Sequence, residues 1–347
     1  MTHTLASVPD TPSAADVVDH INRTVLGTQL PYRSTSFGKS GSTIVAVRFA
    51  DPALDYFIKF KRPQPQYGST LESTRASLTR EHRTLQHLSQ AAPSTFELPR
   101  PLYFDSEHLI LATSAVPGTP FLRKYRLAPR LGVTGRTSLT SDLHSIGRAL
   151  SDFHRLPVSP DLEATRFTQR IALSSYASRL EHFAVRERPR LHQAAAAYLA
   201  ELESASPSDL DTVLAHNDLG LHNVLCGERP GLLDLDSVRP GPPEMDLAQL
   251  ILSLVDFTMP GPVSGLRRQS LIRAVRTLLE GYDAQARGLN LKPFLVRTGL
   301  QWVIDLELRR RLHDRSLRRL HDSLLLARQT EFLMYVLEDR PQVDFSV

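Results

Sequence analysis

The hydrophobic pattern changes period near Pro117-Gly118, and that change limits the folds open to the chain. Upstream, Thr43 to Phe49 (TIVAVRF) and Tyr56 to Phe60 (YFIKF) are β-branched or aromatic, with ADPAL between them, which predicts an antiparallel hairpin. A helix precedes it: Ser13 or Thr11 caps a stretch whose Val17, Val18 and Ile21 share one face, and Gly27 ends it. From about Ser73 the pattern is helical again, with Leu78, Leu85 and Leu88 among charged neighbours. ELPRPLYFD and EHLILAT then read as strands, and AVPGTPF as an exit into a linker. Downstream, helical patterns cover 143–156, 171–183, 191–204, 245–257, 266–286 and a tail from 293 to 338. Only 213–238 interrupts them with short strands and turns. A β-rich front joined to an α-rich back predicts two lobes, and ligand sites favour such junctions.

Composition narrows the function classes. Lys plus Arg is 41 against 37 for Asp plus Glu, a slight excess that does not describe a nucleic-acid-binding surface. The single cysteine, Cys226, excludes an intramolecular disulfide framework and fits a reducing, cytoplasmic setting. MTHTLASVPDTPS has no basic region followed by an apolar run, so no signal peptide is expected. The apolar stretch from Leu247 to Val255 is too short and too interrupted for a membrane span.

The chemistry concentrates in Ala215 to Leu250, AHNDLGLHNVLCGERPGLLDLDSVRPGPPEMDLAQL. Asp218 sits in a polar, glycine-containing loop, Asn223 follows five residues later, and CGERPG supplies a turn before Leu232, Leu233 and Asp234. In a hairpin centred between Glu228 and Arg229, Asn223 and Asp234 lie opposite each other. Opposed residues have Cβ atoms about 4.5–5.5 Å apart, close enough for both to grip one ion. An amide oxygen and a carboxylate, with room for water and phosphate, suit Mg²⁺. Asp218, near the metal without needing to bind it, is placed to accept or orient the proton of an attacking hydroxyl.

His216-x-Asp218-x-x-x-x-Asn223, followed by Asp234 after two leucines, resembles the catalytic and metal loops of kinase-fold enzymes. The segment Gly241-Pro242-Pro243-Glu244-Met245-Asp246-Leu247-Ala248 is similar to the one after the metal aspartate in aminoglycoside phosphotransferases and choline-kinase-like enzymes. Asp234 lies only twelve residues before Asp246, and no Ala-Pro-Glu peptide-docking motif intervenes, so the resemblance is not to typical protein kinases. Pro99-Arg100-Pro101, the 109–118 segment, Ile146 to His154 and LLEGY (278–282) also look like family landmarks in family order.

That resemblance implies a protein-kinase-like α+β fold with two lobes. The N-lobe is a small antiparallel sheet with one main helix, and the larger C-lobe is mostly helical. The expected divisions are an N-terminal helix at 1–24, a nucleotide-binding lobe at 25–116, and a C-lobe at 117–347 carrying the catalytic loops and acceptor pocket. A strand lysine held by a helix glutamate should reach the α/β-phosphates. Lys59 and Glu81 fill those roles, although Lys61 shares a strand face with Lys59 and is one pleat away. Ser36 to Ser42 lies where a nucleotide loop belongs, and Gly38 and Gly41 would let backbone N–H groups approach phosphate. Thr113 to Val116 would form the hinge against which adenine lies.

His216 then reads as a loop brace, His222 as a partly exposed loop residue, and His154 as core. Asp246 complements a helix N-terminus. Asp236 either joins the metal shell or binds loop amides. The arginines at 309–311, 315, 318 and 319 read as a solvated helix face, or as a basic patch for an anionic acceptor.

The expected activity is transfer of the γ-phosphoryl group of Mg-ATP, or another NTP, to a hydroxyl of a small aminoglycoside-, sugar- or amino-alcohol-like molecule. The alternatives are a kinase-fold enzyme that modifies protein by phosphate or nucleotidyl transfer, and an inactive scaffold of the same fold.

Overall fold

The computed structural model describes residues 12–39, 42–64, 69–91, 95–125, 132–158, 189–204, 212–258, 265–283, 288–312 and 317–337. The predicted helix at 171–183 and Gly41 lie outside the described residues. Two compact units emerge. The first comprises Met1–Gly118 together with Gly231–Val238, and the second comprises Thr119–Pro230 with Arg239–Val347.

The first unit is built on a five-stranded antiparallel sheet in the order β1-β2-β3-β5-β4. The strands are β1 Arg33–Lys39, β2 Ser42–Arg48, β3 Tyr56–Lys61, β4 Pro101–Asp105 and β5 Ile110–Ser114. Strand β1 was not expected: RSTSFGK is polar and largely exposed, as befits an edge strand, and gives no apolar alternation to read. It includes Ser36 to Lys39 of the segment expected to approach the phosphates.

Strict alternation along β3 assigns its two faces. Tyr56, Ile58 and Phe60 point to one side, where they pack with Val45, Val47, Ile110 and Ala112. Helix α1 (Ala14–Thr24) completes that core with Val17, Val18 and Ile21. Its start is fixed by a capping box between Ser13 and Asp16. The Tyr56 hydroxyl donates to the Asn22 amide oxygen at 3.0 Å, tying helix to sheet.

The opposite face carries Phe57, Lys59 and Lys61. In register with Lys59 stand Ile44 on β2 and Leu111 on β5. Helix α2 (Leu71–Gln90) starts at a Thr70/Ser73 capping box and buries Leu78, Leu85 and Leu88. Glu81 lies on the same helical stripe, 4% exposed. The short strand β9 (Gly231–Leu232) returns to this unit, where the Leu232 N–H donates to the Glu97 carbonyl at 3.0 Å.

The second unit is mainly helical. It holds α3 (Phe121–Tyr125), α4 (Gly132–Phe153), α5 (Pro189–Ser204), α6 (Pro243–Thr258), α7 (Gly265–Tyr282), α8 (Lys292–Leu312) and α9 (Leu317–Leu337). The predicted tail is thus two helices. Short strands β6 (Thr119–Pro120) and β8 (Val224–Cys226) pair antiparallel, as do β7 (Val213–Ala215) and β10 (Arg239–Gly241).

Helix α6 is central: Leu247, Ala248, Leu250, Ile251, Leu252, Leu254 and Val255 are all inaccessible. A helix apolar on every side belongs in a core. Helices α4 and α7 cross at Gly147 and Gly281, where a Cβ on either glycine would stand 2.1 Å from a backbone oxygen of the other helix. No helix among the described residues is long and apolar enough to cross a membrane.

Candidate active site

In the first unit, two lysines on one face of β3 meet three carboxylates. Lys59 Nζ donates to Glu81 Oε1 at 2.6 Å and to Asp234 Oδ1 at 2.7 Å. Lys61 Nζ donates to Asp236 Oδ2 at 3.0 Å and to Ser77 Oγ at 3.2 Å, and lies 3.9 Å from Glu81 Oε2. The two-residue period of the strand aims both lysines the same way. The 3-10 turn Leu235–Ser237 does the equivalent for Asp234 and Asp236.

Burial opposes the charge on Lys59, but Glu81 and Asp234 outweigh it and raise its pKa, so the ammonium is retained. Burial pushes the Glu81 carboxyl up from its ordinary value, while the Lys59 and Lys61 ammoniums pull against it. Asp234 enters its turn in the left-handed region, φ 61° and ψ 62°, uncommon away from glycine though Asp reaches it more readily than most residues.

In the second unit, strand β7 delivers the chain into the loop carrying Asp218. Asp246, inaccessible at the start of α6, accepts from three donors: the His216 and Asn217 N–H groups at 2.6 and 2.7 Å, and His154 Nε2 at 2.9 Å. A carboxylate only accepts, so His154 Nε2 carries a proton. In the neutral ring Nδ1 then accepts from the Tyr282 hydroxyl, 2.7 Å away. One turn along α6, Gln249 Nε2 donates to the Asn217 carbonyl at 2.8 Å, and its Oε1 accepts from the Leu219 N–H at 2.5 Å.

Asp246 and Gln249 therefore grip the backbone on both sides of Asp218, whose side chain is exposed. Asn217 takes a positive φ of 62° within that grip. The Asp218 carbonyl accepts from Asn223 Nδ2 at 2.9 Å.

The sequence-predicted residues fall as follows. Lys59, Glu81 and Asp234 are brought together in one ion-paired cluster, with Lys61 and Asp236 beside them. Asp218 and Asn223 are joined in the second unit. Asn223 closes a 3-10 turn (Leu221–Asn223) and Asp234 begins another, so each stands in turn geometry just beyond a strand rather than on a ladder. Thr113 pairs with Phe57 in the sheet. Val116 follows it, 9% exposed, after the Ser114 and Ala115 N–H groups have donated to Arg100 and Asp55 carbonyls. Gly38 lies within β1 with open space where a side chain would project.

Sequence reasoning missed Gln249, which lies within the interrupted apolar stretch from Leu247 to Val255, and gave Asp246 a dipole role rather than a grip on the loop. The spacing of an acidic residue and an amide three positions apart on a buried helix was the available signal.

An antiparallel sheet with a strand lysine held by a helix glutamate, and a helical unit with an anchored His-x-Asp-x-x-x-x-Asn loop, define a protein-kinase-like phosphotransferase fold. The chain belongs to the phosphotransferase enzyme family, which matches residues 40–287. It is therefore a transferase of the phosphotransferase class. Among solved structures, it is similar to the ADP-bound aminoglycoside phosphotransferase APH(2'')-Ib at 17% identity, covering 92% of this chain and 99% of that one, TM-score 0.56.

Amicoumacin kinase hAmiN, in complex with AMP-PNP, Ca²⁺ and Ami, is similar at 14% identity, covering 96% of each chain, TM-score 0.58. Choline kinase from Cryptosporidium parvum is similar at 10% identity, covering 94% of this chain and 96% of that one, TM-score 0.60. No curated protein sequence matches the chain.

Proposed function

We propose that the protein transfers the γ-phosphoryl group of Mg-ATP to a hydroxyl of a small molecule. The observation that carries this reading is Lys59, whose ammonium is seated between Glu81 and Asp234. Glu81 orients it toward the α/β-phosphates, and the charge it keeps offsets theirs. The backbone from Thr113 to Val116 holds adenine, and the β1–β2 hairpin with Gly38 covers the phosphates.

The donor chemistry fits Mg²⁺. Asn223 commits its amide nitrogen to the Asp218 carbonyl, leaving its oxygen as the ligand atom. Asp234 adds a carboxylate that already draws a cation, Lys59. Hard oxygens of this kind suit the ion, which when bound neutralises charge on the transferring phosphoryl group. Asp218 takes the acceptor's hydroxyl proton as the new P–O bond forms and the bond to ADP breaks. Its backbone, fixed on both sides by Asp246 and Gln249, sets where the carboxylate stands.

The short span from Asp234 to Asp246 leaves no peptide-docking segment, which supports a small acceptor of the aminoglycoside, sugar or amino-alcohol type. The test is a screen of hydroxylated metabolites and aminoglycosides for ATP consumption, followed by product mass. With an acceptor in hand, Asp218→Ala is expected to lower kcat by about 10²–10⁴-fold and to leave Mg-ATP affinity within about twofold. Wild-type turnover by that variant would remove Asp218 from the chemistry.

A further inference from the structure

The mechanism above uses Lys59 and Asp234 but leaves Lys61 and Asp236 idle, although they repeat the same pairing one pleat and two residues along. Lys61 is well covered, with a side chain 14% exposed, and three of its neighbours are polar: Asp236, Ser77 and the far oxygen of Glu81. A lysine that merely blunts a sheet edge would point to water. This one lies on β3, the central strand of five, and reaches across to a segment 175 residues away in sequence.

The two rungs are not equivalent. Asp234 holds Lys59 with the oxygen atoms that the proposed metal role needs. When the phosphates draw Lys59 and the metal draws Asp234, that rung opens. Asp236 is given no such duty in the proposed mechanism, so the Lys61 rung can persist. Something must hold the turn, because Asp234 sits in a left-handed conformation, uncommon away from glycine, that relaxes if the turn comes free.

We propose that the Lys61–Asp236 pair is a positioning device: it keeps the Asp234 turn fastened to β3, so that the Asp234 carboxylate faces the metal after Lys59 has let it go. Lys61 touches neither nucleotide nor metal and acts through Asp236. The inference rests on the proposed nucleotide and metal roles, and its test separates the two.

The experiment is calorimetric titration of the whole chain with ATP, once with Mg²⁺ and once with EDTA. Binding of metal-free ATP draws on Lys59 and not on the Asp234 turn. Lys61→Met is expected to weaken Mg-ATP binding at least tenfold while changing metal-free ATP binding less than twofold. Lys61→Arg is expected to recover most of the loss. Asp236→Asn should match Lys61→Met, and the double variant should be no worse than either single one, since one interaction is removed once.

Equal losses with and without Mg²⁺, or Mg-ATP affinity within twofold of wild type in both single variants, would overturn the device. Should Lys61→Met melt well below wild type in the ligand-free state, Lys61→Arg and Asp236→Asn carry the same comparison. A wild-type protein that binds ATP no better with Mg²⁺ than without it would instead overturn the metal reading beneath it.

Discussion

At the scale of single residues, Asp246 does more than sit at a helix N-terminus. Three donors converge on its two oxygens, two of them backbone N–H groups of the loop. An amide in its place offers one acceptor atom and turns an NH₂ toward at least one donor. Asp246→Asn is expected to destabilise the protein by about 1–3 kcal/mol, the usual cost of leaving a buried donor unsatisfied. Denaturant melts measure that loss, and faster hydrogen exchange at the His216 and Asn217 amides locates it. Unchanged exchange at both amides would show that the loop does not depend on this carboxylate.

At the scale of elements, the crossing of α4 and α7 rests on two glycines. Each helix runs its backbone where the other's side chain would be, which brings the ends carrying His154 and Tyr282 within hydrogen-bond reach. Gly147→Ala puts a methyl group 2.1 Å from the Leu278 carbonyl oxygen, a backbone atom that cannot swing aside. The helices must part, and the expected cost is about 1–3 kcal/mol. A denaturation midpoint equal to wild type would contradict it. Most strands of the first unit were legible because two-residue alternation is a local signal, as along Tyr56 to Phe60. Ser13, offered beside Thr11, is the residue that caps α1, whereas α2 begins at Leu71, two residues before the expected Ser73. Strand β1 was not legible, because an exposed edge needs no apolar face.

At the scale of the whole molecule, the first unit is discontinuous: the chain leaves it after Gly118 and comes back for Gly231–Val238. That returning piece supplies both aspartates of the β3 cluster, so a ligand that engages it ties distant parts of the chain into one stability. Mg-ATP at 100 times its Kd should stabilise the fold by about 2.7 kcal/mol. Scanning calorimetry is expected to show a higher Tm with Mg-ATP than with ATP in EDTA; identical values would count against a metal-dependent site.

The sequence alone determined the change from strand to helix periodicity and the residue types and spacing of the Asp218–Asn223 loop, while the family resemblance pointed to Glu81. Periodicity is a local signal, fixed by neighbours two to four residues apart. Only the tertiary structure decided that Asp234 keeps company with Lys59 rather than with its own flanking chain, that Lys61 has a partner, and that Gln249 faces the Asp218 loop. Contacts across 30 to 175 residues depend on which surfaces bury one another, and no local period records that.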